Sequence, residues 1–278
     1  MFLLADSGST KTDWCLIKDE RTLSRVSTGG INPFYQTTKE IEHLLRVELI
    51  PWLGGNVPEK IFFYGAGCAF PEKNKEVLDA IAAVLHVRNI EINSDLLAAS
   101  RALCGKEAGI ACILGTGSNS CFYDGEIIRN NVSPLGFVLG DEGSGAVLGK
   151  RLVADCLKHQ LPADLIQAFW DTCKLSRGEI LERVYKWPFP NRFLASFTPF
   201  LLQHIACPEV EKLVESGLRD FLCRNVKQYD YLHFPVHFVG SVAWYFKSQL
   251  LKVANEESVS IGRLYQSPME GLIAFHHL

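Results

Sequence analysis

The sequence predicts an α/β protein that is built from two similar lobes. The chain has 278 residues, which is enough for two domains of ordinary size. Its first part alternates apolar, strand-like runs with segments whose apolar residues have helical spacing. The same order of elements starts again at Gly109. This repeat indicates a duplicated fold, with one lobe following the other along the chain.

The first lobe is predicted to begin with three antiparallel strands. Short apolar or β-branched runs, separated by turn residues, predict these strands at residues 2–5, 14–17 and 22–27. After these strands, segments whose apolar residues have helical spacing alternate with short strand-like runs. This pattern predicts helices at 38–53, 71–87 and 95–103 and strands at 60–64 and 89–92. The predicted order is βββαβαβα.

The second lobe repeats this beginning and then becomes mainly helical. The predicted elements are a strand at 110–114, a Gly-Thr-Gly turn, a hairpin of 121–123 with 127–129 around Asp124-Gly125, and a helix at 142–159. They continue with proline-interrupted helices over 162–228, a strand at 236–239, a helix after Gly240-Ser241 and a short strand at 258–261. Ser267 and Pro268 predict the start of a terminal helix.

Charge and composition favour a small-molecule function. The sequence has 28 Lys and Arg residues against 31 Asp and Glu residues, without a basic run of the kind that binds nucleic acid or an anionic membrane. It has no apolar run long enough to cross a bilayer, and its N-terminal apolar stretch is too short for a signal sequence. We therefore expect a cytoplasmic protein that binds neither nucleic acid nor membrane.

The cysteine and histidine patterns predict no structural metal site. The nine Cys residues are scattered without a Cys-x-x-Cys pair, which fits reduced thiols in the cytosol. The eight His residues lack the spacing of metal ligands. His276 and His277 are expected to mark a solvated helix end.

Two loops rich in glycine and hydroxyl residues each follow a strand-like run. They are Asp6–Asp13, with the sequence DSGSTKTD, and Leu114–Asn119, with the sequence LGTGSN. Glycine lets the backbone approach a ligand closely, while hydroxyl and peptide N–H groups supply donors for phosphate oxygens. Such a pair of loops predicts a clamp for a nucleotide. Each loop taken alone could be a polar hairpin turn.

Two further segments make the nucleotide hypothesis more specific. Gly140–Gly145, with the sequence GDEGSG, precedes a predicted helix. Phe238–Val242, with the sequence FVGSV, lies at another junction between a strand and a helix. Four such segments in this order are much more specific than one.

In these segments the chain resembles the BadF/BadG-type ATPase and N-acetylglucosamine kinase family, within the actin and hexokinase superfamily. The match spans nearly the whole chain. The resemblance implies two ribonuclease-H-like lobes of the actin and hexokinase type, with a nucleotide cleft between them. Residues 1–105, joined by a terminal helix over 268–278, would form one lobe, and residues 106–267 would form the other.

The resemblance also implies the residues that bind ATP and Mg²⁺. The phosphates and the adenosine would contact the two loops and the Gly240 turn, through Gly8, Ser9, Thr10, Lys11, Thr12, Thr116, Gly117, Gly240 and Ser241. Asp6 would hold Mg²⁺ through water. The segment Gly140–Ser144 would connect the lobes.

Asp95 is the predicted catalytic residue. It lies where a strand ends and a helix begins, in the sequence Asn93-Ser94-Asp95, and it matches the catalytic Asp of the family. An aspartate beside a sugar hydroxyl can accept its proton as the phosphoryl group arrives. The alternative is a helix N-cap, because Asp is favoured at that position for local reasons.

Substrate binding is implied for residues that match positions near the sugar in the family, namely Asn32, Ser118, Asn119 and Asp141. Asn32 could equally start a turn, because it precedes Pro33. Asp141, together with Gly140, could cap the following helix.

Two features of the sequence bear on which sugar is bound. Leu135 stands where related N-acetylglucosamine kinases carry a Trp, and it lacks the aromatic and N–H surface of that residue. Recognition of the N-acetyl group is therefore left open. Phe34 or Phe70 could stack on a pyranose face, although core packing is the favoured role for both.

The leading hypothesis is an ATP- and Mg²⁺-dependent kinase that phosphorylates a hydroxyl of an amino sugar, N-acetylglucosamine or a related cell-wall sugar. One alternative is a BadF-type ATPase that activates a reductase or dehydratase, with Cys68 beside a cleft loop as the Cys of interest for an iron–sulfur cluster. Another is a sugar sensor without catalysis. A homodimer is compatible with each of these hypotheses.

Overall fold

The computed structural model describes residues 1–8, 10–19 and 21–277. The chain divides into two compact units, Met1–Gly105 with Pro268–Leu278, and Lys106–Ser267. Each unit contains a five-stranded sheet with both parallel and antiparallel neighbours, together with α-helices. The predicted α/β class is confirmed.

The first unit contains strands β1 to β5, which are Phe2–Ser7, Lys11–Lys18, Arg21–Gly29, Lys60–Gly65 and Asn89–Ser94. Their order in the sheet is β3-β2-β1-β4-β5. The first three strands are antiparallel neighbours, and β4 and β5 run parallel to β1. Parallel strands need crossover connections, and helices supply them here.

Helices cover both faces of this sheet. They are α1 (Thr38–Leu44), a π-helical segment (Leu45–Leu49), α2 (Ile50–Leu53), α3 (Pro71–Leu85), α4 (Asp95–Cys104) and the terminal helix (Met269–His277). Successive residues of a strand point to opposite faces. Leu3 therefore joins the core under α1 and α3, whereas Leu4 joins the core under α4 and the terminal helix. Gly271 allows the terminal helix to pack closely on α4, because a Cβ at this position would lie 2.4 Å from the carbonyl oxygen of Ala102.

The second unit contains strands β6 to β10, which are Gly109–Leu114, Ser118–Tyr123, Ile128–Val132, Val236–Val239 and Ile261–Tyr265. Their order is β10-β9-β6-β7-β8. The first three strands are again antiparallel neighbours, and β9 and β10 run parallel to β6 and to each other. This is the arrangement of the first sheet, so the predicted duplication of the fold is confirmed.

The helices of the second unit form its larger part. They are α5 (Gly136–Leu139), α6 (Gly145–Leu157), α7 (Ala163–Cys173), α8 (Arg177–Tyr185), α9 (Pro190–Ala195), α10 (Thr198–Gln203), α11 (Pro208–Arg224), a 3₁₀ turn (Val226–Gln228), α12 (Ser241–Tyr245) and α13 (Lys247–Glu256). One continuous core joins β6 and β9 to α6, α11 and α13. Within the described part of the chain, no helix combines the length and apolar character that crossing a membrane requires.

Several predicted boundaries differ from the structure, and two of the differences have a clear local cause. The last strand of the second sheet begins at Ile261 rather than at Ser258, because Ser258 has a left-handed φ of 58° and its N–H donates to the carbonyl of Asn255 at the end of α13. The helix predicted from residue 142 begins at Gly145. Asp141 and Gly143 have φ values of 54° and 69°, which are incompatible with a right-handed helix.

The expectation of a solvated helix end at His276 is also wrong. The His276 ring lies 3.8 Å from the ring centroid of Phe62, and its Nε2 is 2.9 Å from the hydroxyl of Tyr64. Burial, followed by the nearby Arg101 charge, lowers the pKa of His276 to about 4. The terminal helix is thus anchored on the first sheet by a neutral imidazole.

Replacement of Gly149 in α6 tests the packing of the second unit. A Cβ at this position would lie 1.9 Å from the carbonyl oxygen of Leu194 in α9. Gly149→Ala should therefore lower the free energy of unfolding by about 2 kcal/mol, the usual range for overpacking. Gly178→Ala in α8 is the control, because its Cβ would meet only Ser176 Oγ at 3.9 Å. Urea unfolding should show the control unchanged or stabilised, and equal stability of the two variants would contradict the packing.

Candidate active site

The first predicted phosphate loop is a tight turn between β1 and β2. The N–H of Gly8 donates to the carbonyl of Lys11 at 2.9 Å, and the N–H of Gly30 donates to the carbonyl of Thr10 at 3.1 Å. Ser9, a predicted phosphate-binding residue, lies outside the described residues. The turn presents Gly8, Thr10 and Lys11 at the exposed end of the sheet.

Ser7 holds this turn to its neighbours, and the sequence did not single it out. Its side chain is fully buried, and its Oγ lies 2.7 Å from Thr12 Oγ1 and 3.0 Å from both the N–H and the carbonyl oxygen of Ile31. Thr12 is fully buried as well, and its hydroxyl donates to the carbonyl of Gly29. This hydroxyl therefore stabilises the loop from inside, and the predicted contact of Thr12 with phosphate stays a prediction.

Two carboxylates face each other where the first hairpin begins. Asp6 in β1 and Asp13 in β2 are directly opposite in the antiparallel register. Asp13 is 2.7 Å from Lys11 Nζ and accepts a hydrogen bond from Ser27 Oγ. Burial raises the pKa of Asp6 to about 7, and the charges of Asp13 and Asp95 add to the shift. The three carboxylates therefore share one electrostatic environment.

Asp95 is the first residue of α4 and follows β5 directly, as predicted. The N-cap of this helix is Ser94, whose Oγ accepts the N–H of Leu97 at 3.2 Å. Burial raises the pKa of Asp95, while a hydrogen bond from the N–H of Leu96 to its Oδ1 opposes the shift. Because Ser94 is the N-cap, the alternative that Asp95 caps this helix is wrong.

Asn32 lies in a hydrogen-bonded loop after β3. Its side-chain Oδ1 accepts the N–H of Phe34 at 3.0 Å, and its carbonyl accepts the N–H of Tyr35 and Gln36. This is an Asx-type turn, and Asn32 itself is buried. The structure thus shows the turn-forming role of Asn32, while its predicted contact with sugar stays a prediction.

The second predicted phosphate loop is the turn of residues 115–117 between β6 and β7. The N–H of its first residue donates to the carbonyl of its last at 3.0 Å. The N–H groups of Gly145 and Ala146 donate to the carbonyls of its first two residues at 2.8 and 3.0 Å. The turn is therefore fixed to the N-terminus of α6, and its own peptide groups and the Thr116 side chain are what it can offer to a ligand.

Asp141 lies against this turn. Its Oδ1 accepts the N–H of Ser118 at 3.4 Å, and a Cβ on Gly117 would lie 3.1 Å from its Oδ2. Burial raises the pKa of Asp141 to about 6, with a further contribution from Glu142. The alternative role as a helix cap is wrong, because Ser144 Oγ caps α6 by accepting the N–H of Val147.

The other predicted residues of the second unit occupy different positions around the turn. A Cβ at Gly240, whose φ is 123°, would lie 2.3 Å from the carbonyl oxygen of Leu114, so only glycine fits at this start of α12. Ser241 follows it on the exposed side. The side-chain oxygen of Asn119 already accepts hydrogen bonds from the N–H of Ser120 and from Asn131 Nδ2, both at 2.9 Å.

The segment before Asp141 is apolar and exposed. Leu135, Val138 and Leu139 are 60%, 72% and 71% exposed. Lys150 Nζ donates to the carbonyl of Phe137 at 2.7 Å and so holds this segment to α6. Sequence reasoning missed Lys150, whose only signal was its position in the first two turns of the helix that follows Asp141.

Each unit brings several of the predicted site residues together. The first unit brings together the Gly8 turn and the acidic group of Asp6, Asp13 and Asp95. The second unit brings together the turn of residues 115–117, Asp141 and Gly240. Exposed peptide N–H groups, hydroxyls and carboxylates with raised pKa values are suited to binding phosphate and to accepting a proton from a hydroxyl.

Comparisons with known proteins give the fold class first. No protein-family model matches the chain, and no curated protein matches it. Among solved structures, a candidate N-acetylglucosamine kinase from Chromobacterium violaceum matches at 17% identity, 99% and 98% coverage and a TM-score of 0.77. A ROK family glucokinase from Streptomyces griseus, in complex with glucose and AMPPNP, matches at 15% identity, 99% and 97% coverage and a TM-score of 0.60. These two likenesses show the actin and hexokinase type of fold.

A more similar structure shows the family. A candidate N-acetylglucosamine kinase from Porphyromonas gingivalis is 50% identical, with 100% of this chain and 99% of that chain covered and a TM-score of 0.97. The chain therefore belongs to the BadF/BadG-type ATPase and N-acetylglucosamine kinase family.

The pKa of Asp6 predicts a pH dependence of stability. The folded state keeps the proton up to about pH 7, whereas the unfolded chain loses it near the ordinary value of 3.8. Between these values the folded state binds more protons, so the free energy of unfolding falls as the pH rises from about 4 to about 7. The Asn side chain of Asp6→Asn cannot ionise. The free energy of unfolding of this variant should therefore exceed that of wild type by about 1 kcal/mol or more at pH 8, but by little at pH 4.

The measurement is urea unfolding at several pH values in metal-free buffer. Asp124→Asn is the control with the opposite sign, because backbone N–H groups of Ile127 and Glu126 lower the pKa of Asp124 to about 2. That carboxylate stabilises the fold above pH 4 and stops doing so as the pH falls towards 2. An Asp6→Asn variant with the same pH profile as wild type would contradict the burial of this carboxyl.

Proposed function

We propose that this protein is an ATP-dependent kinase that phosphorylates a hydroxyl of an amino sugar, N-acetylglucosamine or a related cell-wall sugar. The observation that carries the proposal is the full-length likeness, at 50% identity, to a candidate N-acetylglucosamine kinase. The likeness to a glucokinase complex with AMPPNP agrees in fold. The residues of the candidate site supply the chemistry that such a transfer needs.

ATP would be bound by the two loops and the Gly240 turn. Gly8, Thr10 and Lys11 offer peptide N–H groups, a hydroxyl and an ammonium group, and Thr116 and Gly117 offer similar donors from the other loop. The Lys11 side chain is 65% exposed, so its ammonium group can exchange Asp13 for a phosphate oxygen. The missing side chain at Gly240 lets this turn pack against the carbonyl of Leu114 at the end of β6. The nucleoside would lie beside the turn, with the exposed Ser241 as a polar neighbour.

Mg²⁺ fits the donor set beside the first loop. Asp6 and Asp13 present carboxylate oxygens, the ligand type that this cation prefers. When bound, Mg²⁺ neutralises phosphate charge and orients the transferred group. We assign Asp6 to this position, in contact through water, and Asp13 to holding Lys11.

Asp95 would act as the general base toward the sugar hydroxyl. Its pKa is raised by burial, which makes the carboxylate a stronger proton acceptor. It would take the hydroxyl proton while the hydroxyl oxygen attacks the γ-phosphorus and ADP leaves. Asp141, Ser118 and Asn119 would bind sugar hydroxyls from the second unit, and Asn32 from the first.

An ADP-release assay tests the function. Purified protein with MgATP should release ADP at a rate that depends on sugar, measured over glucose, glucosamine, N-acetylglucosamine, N-acetylmannosamine and muramic acid derivatives. The highest kcat/KM should belong to an N-acylated amino sugar. Release of ADP at the same rate with and without every sugar would contradict the kinase and support an ATPase.

Asp95→Asn tests the general base. The variant keeps the shape of the side chain and removes the proton acceptor, so kcat should fall by about 10² to 10⁴ with nearly normal MgATP binding. Ser94→Ala is the matched control, because it removes the cap of the same helix and should cost about 1 kcal/mol of stability with a small effect on kcat. A variant Asp95→Asn that retains kcat within a few-fold of wild type would make Asp95 a structural residue.

The alternative of a cluster-bearing ATPase finds less support in this chain. The Cys68 thiol is buried, and burial, with the nearby charge of Asp95, raises its pKa to about 12. Metal ligation uses the thiolate, which such a pKa disfavours. All nine Cys residues lie within the described residues and none forms a disulfide, as suits a protein of the reducing cytoplasm, where we place this enzyme. A homodimer stays a prediction.

A further inference from the structure

Two phenylalanine side chains of the first unit are exposed and touch each other. Phe34, in the loop after β3, is 54% exposed, and Phe70, in the loop after β4, is 55% exposed. Their ring centroids are 6.1 Å apart with an interplanar angle of 81°, the edge-to-face arrangement that aromatic pairs prefer. The favoured expectation of core packing for both residues is therefore wrong.

The two loops that carry these rings are tightly joined. The turn at Asn32 fixes the backbone of Phe34. A Cβ at Gly67, whose φ is 83°, would lie 2.4 Å from Asn32 Oδ1 and 2.9 Å from Phe34 Cδ2, so only glycine allows this approach. The Phe70 backbone is fixed as well, because its carbonyl accepts the N–H of Asn74 in the first turn of α3. The aromatic pair is thus held in place before any ligand binds.

Both loops are also tied to the first phosphate loop through Ser7. The Ser7 hydroxyl bonds the N–H and the carbonyl of Ile31, next to Asn32, and the Ser7 carbonyl accepts the N–H of Ala66 at 2.8 Å. Gly8 follows Ser7 directly. The exposed rings therefore lie at the same hydrogen-bonded end of the sheet as the turn that we assign to phosphate.

We propose that Phe34 and Phe70 form an aromatic platform that binds the apolar C–H surface of the acceptor sugar and contributes to the choice of sugar. The proposal rests on the proposed kinase function. Phenyl rings carry no hydrogen-bonding group, so the platform recognises C–H groups and not hydroxyls. Their negative faces attract the polarised C–H groups of a pyranose face or of an acyl methyl.

The charged neighbour of the platform fits this role. Lys73 Nζ lies 5.7 Å from the ring centroid of Phe34 and is paired with Glu76 at 2.9 Å. The cation polarises one side of the pair, and the salt bridge leaves little net charge beside it. A neutral sugar suits such a surface better than a charged ligand.

The test measures sugar binding and turnover in Phe34→Ala and Phe70→Ala. Each variant should raise KM for N-acetylglucosamine about tenfold, because part of the burial of a ring against the sugar is lost. KM for ATP should stay unchanged, and Phe34→Leu should recover part of the loss. Tyr185→Ala is the control, since Tyr185 is 80% exposed and lies in the second unit on α8. Glucose as a second sugar identifies the group that is recognised.

Equal loss for both sugars assigns the platform to the pyranose face, and loss for N-acetylglucosamine alone assigns it to the acyl methyl. A change below twofold for both sugars in both variants overturns the proposal, as does an equal rise in KM for ATP. Calorimetry with N-acetylglucosamine separates this inference from the kinase function. If wild type releases no ADP but binds the sugar more tightly than the variants do, the platform is supported and the kinase function is contradicted. If wild type does not bind the sugar, the platform is overturned.

Discussion

The buried hydroxyl of Ser7 is the contact on which the site of the first unit depends. The Ser7 side chain bonds Thr12 across the hairpin and Ile31 in the loop after β3, and the Ser7 carbonyl accepts the N–H of Ala66 after β4. A buried hydroxyl without partners would be costly, so these segments are held together or the fold loses stability. Ser7 therefore helps to position the Gly8 turn, the Asn32 loop and the exposed rings of Phe34 and Phe70.

In the second unit, close contacts between backbone segments hold the turn of residues 115–117 in place. Gly240 abuts the carbonyl of Leu114, and Gly145 donates to the carbonyl of Gly115. The two sheets have the same strand order, yet one turn is fixed by a buried hydroxyl and the other by peptide groups and a glycine. A duplicated fold thus preserves where a loop must be held, while the chemistry that holds it differs.

Local patterns in the sequence predicted the sheets well, because the strand runs and the turn residues between them are adjacent in the chain. They failed where residues far apart decide the outcome. The choice between Asp141 and Ser144 as helix cap depends on Asp141 turning to Ser118, and the burial of Thr12 depends on Ser7 and Gly29. The π-helical segment at Leu45–Leu49 interrupts a regular apolar spacing and left no sign in it. The motifs identified the family and the loops, but not which side chains face outward.

Burial of the carboxylates of the candidate site lowers the stability of the fold at neutral pH. Burial is the largest cause of the raised pKa in Asp6, Asp95 and Asp141, whereas hydrogen bonds from backbone N–H groups lower the pKa of the partly exposed Asp124. The anionic form of aspartate is therefore stabilised in the turn at Asp124 and destabilised at the three positions of the candidate site. A poorly solvated carboxylate gains most from a cation or from a hydroxyl proton. The fold gives up stability at neutral pH at the three positions where phosphoryl transfer would use that gain.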